Sequence, residues 1–537
     1  MKKQVLTALS CIFLSFGSFA QEDMKTEWTK KFEHKTNWVG TGLEGPGEVS
    51  YIATNKEITV YKTSDGSIVW SKPYKELVPG LRKVDAFAPF WESDAIFLFD
   101  KKVGKDKLAV VDLNTGKILW ESSIYQGLTD ENITYIAEKK GFLLSLAESL
   151  TFVDARTGEE KWESTAFKGA IAISEFIDGD LVMLNVAPPG LKGLFKGFKN
   201  QIVRMDMNNG DIKWEATYVG IPGKKLVTKE RVYDLNIEKD KIFLTMNGLQ
   251  VFDVNTGATL WAAAYTDGSK KGNYALYGAI ADPLRVGRDV YIINKTKKSK
   301  FVINKYDLNT GKLLWATPEF KSAKAIPNLF VIEDKLIAQI GGVVEFQSIT
   351  KTTVDGVITY TYTVGTVNIK PNGLMAFDTK TGTQAWDSER FKKGITNAFV
   401  DKQNLIVSSG KSLYSIRYSD GNVNYEEDVK NGGVGLAVEI LKYKDKIVVV
   451  GQKGVSLFKI SDGKLVKTNK YKKAKSEKLV DNILLMRTEK NDFAAFNLDD
   501  CSYVMYNAKK DSKQFLSEDG KFVWAYEKKQ VTKLKTR

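Results

Sequence analysis

The chain has 537 residues, a formal net charge of +14 and a single histidine, His34. One histidine argues against histidine metal sites and against Ser-His or Cys-His catalysis. Cysteine is equally scarce, since Cys11 and Cys501 are the only two.

The first twenty residues have the pattern of a secretory signal peptide. Lys2 and Lys3 form a charged start, and an apolar stretch follows from Val5 to Phe19. Ser18-Phe-Ala20 matches a small-x-small cleavage site. We therefore expect residues 1–20 to direct export, and the mature chain to lie in the periplasm or at the outer membrane.

A lipoprotein signal cleaved at Cys11 is the alternative for the same segment. The apolar stretch before Cys11 is short, and more apolar sequence follows it, which favours the ordinary signal. Removal of residues 1–20 leaves Cys501 as the only cysteine, so no disulfide within the chain is possible. Packing must then supply the stability.

A ten-residue stretch, Tyr306–Trp315, recurs along the chain. Each copy has a Gly and a Trp four residues after it, and all but the copy ending at Trp70 have an Asp directly after an apolar residue, four residues before the Gly. The pattern predicts a strand, a tight turn with Gly at positive φ, and a second strand. The tryptophans are Trp70, Trp120, Trp162, Trp214, Trp261, Trp315 and Trp386. Because a lone hairpin cannot bury such a side chain, we expect a structural role for each against a neighbouring unit.

The units follow one another at about 40–55 residues, a spacing typical of four-stranded blades. Copies near the C-terminus are degenerate, with Tyr425, Lys467 and Met505 at the positions of the tryptophan. In total we count about eleven units by the repeat criterion.

The two ends of the chain complement each other. Glu27–Phe32 resembles a Trp-bearing outer strand with no strands before it, whereas Lys521–Tyr526 and Gln530–Lys535 look like middle strands with no outer strand after them. We therefore predict a ring closed by the N-terminal strand around Trp28, which removes the open sheet edges.

The Ala-x-Asp-x-x-Thr-Gly-x-x-x-Trp pattern, complete at Ala376–Trp386, resembles the tryptophan-docking motif of quinoprotein alcohol dehydrogenase-like β-propellers, the PQQ-like repeat family. The resemblance implies an all-β propeller of four-stranded blades, usually eight. Eleven units conflict with eight, so either the ring is larger or some late units pack differently. The family includes PQQ-dependent dehydrogenases and non-enzymatic propellers such as the lipoprotein that scaffolds outer-membrane β-barrel assembly.

The domain from residue 21 to 537 carries two long insertions, at 187–200 and 343–369. In a four-stranded blade, second-to-third loops and crossovers emerge on one face, where we expect function. The first insertion interleaves apolar and basic side chains, and we take Lys192, Phe195, Lys196 and Phe198 as binding residues. They suit a membrane surface or a partner groove, and the alternative is a loop folded over its own blade.

The second insertion alternates apolar and polar residues around Asp355-Gly356, which predicts an extra hairpin. It either extends its blade or offers an edge for an added strand. Tyr274 and Tyr277 lie in a Gly-rich crossover and are further candidate binding residues, at the mouth of the central channel.

A dehydrogenase of this family implies a Ca²⁺ site, a catalytic Asp and usually a vicinal disulfide, yet the chain has no Cys-Cys pair. We predict no catalytic residue, no metal and no cofactor. The expected function is that of an exported, non-catalytic protein-binding or scaffolding module in the bacterial envelope, with outer-membrane protein assembly as the role that the resemblance implies. We expect a monomer with a protein partner and contact with the membrane surface. The alternatives are a PQQ- or calcium-dependent dehydrogenase-like enzyme and a carbohydrate-binding propeller.

The positive charge has two explanations. Outside the cytoplasm it favours acidic envelope polymers or lipid surfaces, and we expect no nucleic acid partner. The plainer explanation is lysine on solvent-facing strand positions, where it also protects sheet edges.

Overall fold

The computed structural model describes residues 22–41, 48–102, 104–126, 128, 132–146, 149–186, 200–218, 234–245, 248–264, 274–296, 300–354, 357–388, 391–471, 474–488, 492–509 and 512–537. The expected signal segment 1–20 lies outside these ranges. So do Lys192, Phe195, Lys196 and Phe198, with nearly all of the 187–200 insertion.

Strands form nearly all of the regular structure. In chain order they are β1 (Glu22–Asp23), β2 (Lys25–Lys31), β3 (Thr36–Gly40), β4 (Val49–Thr54), β5 (Glu57–Lys62), β6 (Ile68–Pro73), β7 (Ala86–Phe90), β8 (Ala95–Asp100), β9 (Lys107–Asp112), β10 (Ile118–Ser122), β11 (Ile133–Ile136), β12 (Gly141–Leu146), β13 (Ser149–Asp154), β14 (Glu160–Ser164), β15 (Ala170–Ile177) and β16 (Asp180–Val186). They continue as β17 (Ile202–Asp206), β18 (Ile212–Ala216), β19 (Asp234–Glu238), β20 (Lys241–Thr245), β21 (Gly248–Asp253), β22 (Thr259–Ala264), β23 (Tyr274–Tyr277), β24 (Leu284–Val286), β25 (Asp289–Lys295), β26 (Phe301–Asp307), β27 (Leu313–Ala316), β28 (Leu329–Ile332), β29 (Lys335–Val354), β30 (Val357–Asp378) and β31 (Gln384–Asp387). The remainder are β32 (Ile395–Asp401), β33 (Asn404–Ser409), β34 (Ser412–Arg417), β35 (Val423–Asp428), β36 (Ala437–Tyr443), β37 (Lys446–Gly451), β38 (Gly454–Lys459), β39 (Leu465–Lys470), β40 (Ala474–Val480), β41 (Ile483–Thr488), β42 (Phe493–Asn497), β43 (Tyr503–Tyr506), β44 (Lys513–Leu516), β45 (Phe522–Glu527) and β46 (Gln530–Lys535). Helix in the described ranges is limited to α1 (Tyr74–Leu77) and the 3-10 segments Trp91–Ser93, Ala137–Lys139 and Val429–Gly432.

These strands form eleven sheets, each built on four antiparallel strands. Blade 1 contains β3–β6, blade 2 β7–β10, blade 3 β11–β14, blade 4 β15–β18, blade 5 β19–β22, blade 6 β24–β27, blade 7 β28–β31, blade 8 β32–β35, blade 9 β36–β39, blade 10 β40–β43, and blade 11 β44–β46 with β2. Two short strands are additions, since β1 joins blade 10 and β23 joins blade 7.

One hydrophobic cluster fills each of the eleven interfaces between successive blades. The cluster between blades 11 and 1 joins Ile52 and Tyr61 to Trp524, Tyr526 and Val531. Because the interface between the last and the first blade is packed like the others, the blades form one closed ring. The middle strands are buried on both faces, as expected of sheets stacked around a ring.

The N-terminal strand closes this ring. Strand β2 pairs antiparallel with β46, from Lys25↔Lys535 to Lys31↔Gln530, and becomes the outer strand of blade 11. The indole Nε1 of Trp28 then donates to the Ser64 carbonyl of blade 1, at 2.9 Å. The predicted all-β propeller and its closure are therefore confirmed.

The repeated turn has a common geometry. In blade 2, Asp112 Oδ1 accepts the backbone N–H groups of Asn114 and Thr115, at 3.0 and 2.8 Å, while Gly116 takes φ +62°. Burial opposes ionisation of Asp112, but hydrogen bonds from Arg156 and Thr115 outweigh it and hold the pKa of that carboxyl below its usual range.

Each tryptophan of the repeated motif docks on the turn of the next blade. Trp162 of blade 3 donates from Nε1 to the Met207 carbonyl of blade 4, at 3.1 Å. Its ring covers Gly210, where an added Cβ would lie 2.5 Å from Cε3. Glycine thus serves the turn twice, because it accepts positive φ and leaves room for the indole.

The degenerate copies are complete blades, so the larger ring is the outcome. Tyr425 takes the tryptophan's place on blade 8, and its hydroxyl donates to the Ile460 carbonyl at 2.9 Å. Lys467 of blade 9 faces no glycine, because Cys501 stands at the turn position of blade 10 with φ +59°. Blades 9 and 10 pack instead through a cluster of buried aliphatic and aromatic side chains.

The order of strands assigns the loops to two faces. Turns between first and second, and third and fourth strands, lie on what we name the turn face. Loops between second and third strands, and crossovers between blades, lie on the opposite long-loop face.

Candidate functional site

The longest strands in the described part of the chain, β29 and β30, form a hairpin of blade 7. Strands β29 and β30 continue past the blade and stay paired from Gly342↔Ile369 to Val354↔Val357. At about 3.3 Å per residue, this part of the hairpin is roughly 40 Å long.

The chain itself adds a strand to this hairpin. Strand β23 pairs with β29 from Tyr274↔Ser348 to Tyr277↔Glu345. The backbone of the two candidate tyrosines therefore lies on the hairpin. The insertion extends blade 7 as a hairpin, and its edge on β29 pairs with a strand of the same chain.

The opposite edge, on β30, is open. Strand β31 pairs with β30 only from Met375 to Phe377, and no strand of the described ranges pairs with Val357–Ile369 on that side. A run of unpaired backbone N–H and C=O groups is a template for strand addition.

A break in pairing marks the base of the hairpin. The register passes from Ile340↔Gly373 to Gly342↔Ile369, so Lys370–Asn372 bulge opposite the single residue Gly341. Gly341 has φ +66°, and a Cβ there would overlap the carbonyl oxygen of Pro371. The backbone of Lys370–Asn372 is therefore not paired with β29, and this segment lines one side of a pocket.

This pocket of about 750 Å³ lies on the long-loop face, and we name it the lysine pocket. Four segments meet in it: the end of the second-to-third loop of blade 6, the crossover to blade 7, the bulge of β30 and the crossover to blade 8. The lining residues are Lys300, Lys321, Ser322, Ala323, Lys324, Lys370, Pro371, Asn372, Phe391 and Lys392.

The charged residues that line the lysine pocket are all lysines. Lys300 Nζ donates to the Lys321 carbonyl at 3.0 Å, which ties two of the segments together. Considering only residues that the structure describes, none of the five lysines forms an ion pair with a carboxylate. Like charges gathered in a concave site raise the local concentration of anions.

Asn372 provides a polar group at the wall. Its side chain is 2% exposed, and its Oδ1 accepts no hydrogen bond from the described residues. Its backbone carbonyl accepts the N–H of Phe391 at 3.0 Å, which holds the residue in place. A buried acceptor without a donor costs about 1–3 kcal/mol, so a ligand that donates there gains by satisfying it.

Sequence reasoning missed the lysine pocket. It treated lysines as solvent-facing strand residues, whereas these five lie on loops, crossovers and a bulge. The available signal was position, because all four segments fall on the long-loop connections of two adjacent blades.

The exposed apolar side chains lie elsewhere. Most of those in the described ranges sit on fourth strands beside the docking positions, such as Ile68, Leu313 and Leu465. On the long-loop side, Ile124, Val343 and Leu436 are exposed but belong to different blades. The described part of this face therefore offers charge rather than an apolar patch.

The first strands line the central channel, where ion pairs link neighbouring blades. Arg285 pairs with Glu238 at 2.9 Å, and Lys442 with Asp401 at 2.7 Å. Among the described residues, no group of three or more His, Cys, Asp or Glu side chains is placed to hold a metal ion. The helices of the described ranges include none with the length and apolar character to cross a bilayer.

Comparison with known proteins identifies the family. The family model described as outer membrane protein assembly factor BamB matches residues 104–354 and 299–535, well over half of the chain. The chain belongs to this BamB family. A search of curated protein sequences found no match.

Solved structures similar to this BamB-family chain include BamB from Moraxella catarrhalis, with 15% identity over 76% of this chain and 95% of that one, and a TM-score of 0.31. The computationally designed Ika8 protein matches with 12% identity, 70% and 95% coverage, and a TM-score of 0.31. The C-terminal WD40 domain of Sif2 matches with 10% identity, 67% and 93% coverage, and a TM-score of 0.36.

Proposed function

We propose that this BamB-family propeller is a non-catalytic protein-binding module of the bacterial envelope that acts in outer-membrane protein assembly. The open edge of β30 is the observation that carries the proposal. A partner segment adds there as a strand, through backbone hydrogen bonds along Val357–Ile369. Membership of the BamB family supports the envelope role.

The remaining long-loop residues complete the proposed interface. Residues 1–20 direct export of the protein. The mature protein is a monomer that acts in the periplasm or at the outer membrane. Lys192, Phe195, Lys196 and Phe198 contact the partner or the membrane surface, and Tyr274 and Tyr277 support the hairpin. No cofactor takes part.

The test is capture of partners from the native envelope in mild detergent. In a short-hairpin variant, a two-residue Asn-Gly turn replaces Val343–Asn368 and joins the paired residues Gly342 and Ile369. We expect the unmodified protein to retain a stoichiometric partner and the variant to lose it, with circular dichroism showing that the propeller is intact. Equal capture by both proteins contradicts the proposal.

A further inference from the structure

We infer that the lysine pocket binds an acidic peptide segment of the protein partner. The inference rests on the proposed function and names the chemistry of the segment that the partner supplies. Carboxylates of this segment pair with the lysines, and one of its backbone N–H groups donates to the side-chain oxygen of Asn372.

The arrangement of charge is the first step. The five lysines come from four segments and surround the pocket instead of crowding one point. A single small anion reaches only part of such a surface, whereas side chains along a peptide reach several lysines in turn. Without carboxylates of the described residues on them, the ammonium groups are available to a ligand.

The unpartnered oxygen of Asn372 is the second step. The oxygen is buried and has no donor among the described residues, and it belongs to a residue that lines the pocket. A carboxylate only accepts hydrogen bonds at neutral pH, so a carboxylate alone leaves this oxygen unsatisfied. Peptide backbone provides N–H donors beside acidic side chains.

The position of the pocket is the third step. Strand β30 carries both the open edge, Val357–Ile369, and the pocket wall, Lys370–Asn372. A segment added along that edge reaches the wall where the pairing breaks. Pro371 and Phe391 line the pocket beside the lysines and give the peptide an apolar contact.

The probe is a fluorescein-labelled hexaglutamate peptide, with binding measured by anisotropy at low salt. The pocket variant is Lys321→Gln, Lys324→Gln and Lys370→Gln together. Its control changes charge equally on the turn face, through Lys117→Gln, Lys312→Gln and Lys380→Gln.

We expect the pocket variant to weaken binding about tenfold, since three exposed pairs of a few tenths to one kcal/mol each are lost. The turn-face control should bind like the unmodified protein. Equal weakening of both variants overturns the inference, because it shows attraction by net charge alone.

Asn372→Leu tests the hydrogen bond separately. The change removes an unsatisfied polar group at similar volume, so the fold should tolerate it. We expect it to weaken the peptide about three- to tenfold, as one lost hydrogen bond implies. Unchanged affinity means that Oδ1 meets no donor of the peptide, and overturns this part.

Two further arms identify the source of the anion. Inorganic phosphate that competes at the peptide's own concentration, or phosphatidylglycerol vesicles whose binding is lost in the pocket variant, would overturn the assignment to a peptide. The short-hairpin variant keeps Lys370–Asn372 and should still bind hexaglutamate. Peptide binding without partner capture therefore refutes the proposed function alone, and capture without peptide binding refutes the pocket alone.

Discussion

The docking of each tryptophan on the next blade's glycine makes a quantitative prediction for Gly210→Ala. The substitution has two costs: a Cβ at φ +77°, and a clash with the ring of Trp162, whose Cε3 would be 2.5 Å away. Gly179 of the same blade has φ +86° and nothing within 4 Å of its added Cβ. Gly179→Ala is therefore a matched control that carries only the backbone cost.

The magnitudes follow from these contacts. A left-handed conformation costs a non-glycine residue about 1–2 kcal/mol. Overpacking adds about 1–3 kcal/mol, and loss of the Trp162 Nε1 hydrogen bond about 0.5–1.5 kcal/mol. We expect Gly179→Ala to destabilise by about 1–2 kcal/mol and Gly210→Ala by about 2–4 kcal/mol more. The effect of alanine on the unfolded chain is the same in both variants and cancels in the difference.

The assay is urea unfolding followed by circular dichroism, because the substitution itself perturbs indole fluorescence. A second background, Trp162→Leu, supplies a double-mutant cycle. There the smaller side chain yields, and Gly210→Ala should cost no more than Gly179→Ala. Equal destabilisation by both glycine substitutions in the unmodified protein would refute the docking argument.

Three other predictions concern a buried ion pair, the closing strand and a turn aspartate. Asp180→Asn should cost about 3 kcal/mol, because Arg204, held at 2.5 Å and nearly buried, loses its counter-charge. The control is Asp445→Asn, because Asp445 is exposed and pairs with Lys446 at 3.4 Å; it should change the urea midpoint little, and a loss of the same size at both sites would argue against the effect of burial. A Thr29→Cys, Thr532→Cys protein should form a disulfide between β2 and β46, where the two hydroxyls lie 3.3 Å apart. The disulfide should stabilise the folded protein by up to about 5 kcal/mol. Peptide mapping by mass spectrometry that finds both introduced cysteines reduced would contradict ring closure. Ser517 and Lys521 hydrogen bonds hold the pKa of Asp519 at about 2 in the folded protein, so its stabilising effect is present above its ordinary pKa near 4 and is lost as pH falls toward 2; the difference in urea midpoint between the unmodified protein and Asp519→Asn should shrink over that range, and a constant difference contradicts it.

The ring could be predicted from the sequence because each repeat contains the residues that determine its turn and its contact with the next blade. Asp, Gly and Trp at fixed spacing define a turn and a contact with the next blade, and ten residues suffice to read them. The replacement by Tyr425 was visible as a loss of motif, yet the contact survives, because a phenol also offers a flat ring and a donor. Only the folded chain shows that its hydroxyl reaches the Ile460 carbonyl.

The lysine pocket was beyond the sequence for a different reason. Its lysines come from segments separated by as many as 92 positions, Lys300 to Lys392, and no spacing rule relates them. The unpartnered oxygen of Asn372 is a property of its surroundings. The Gly341-Gly342 pair on β29 and Pro371 on β30 are local signs of a break in the pairing of these strands, but they do not reveal which residues gather around it.

Hydrogen–deuterium exchange of the protein with and without its captured partner tests most directly whether blade 7 is the recognition element. Binding at the open edge and the lysine pocket predicts slower exchange of the backbone amides in residues 357–369, 321–324 and 370–372. Amides of the turn face, such as those in residues 114–117 and 380–383, should exchange at unchanged rates. Protection confined to the turn face, or to blades other than 6, 7 and 8, would contradict the account.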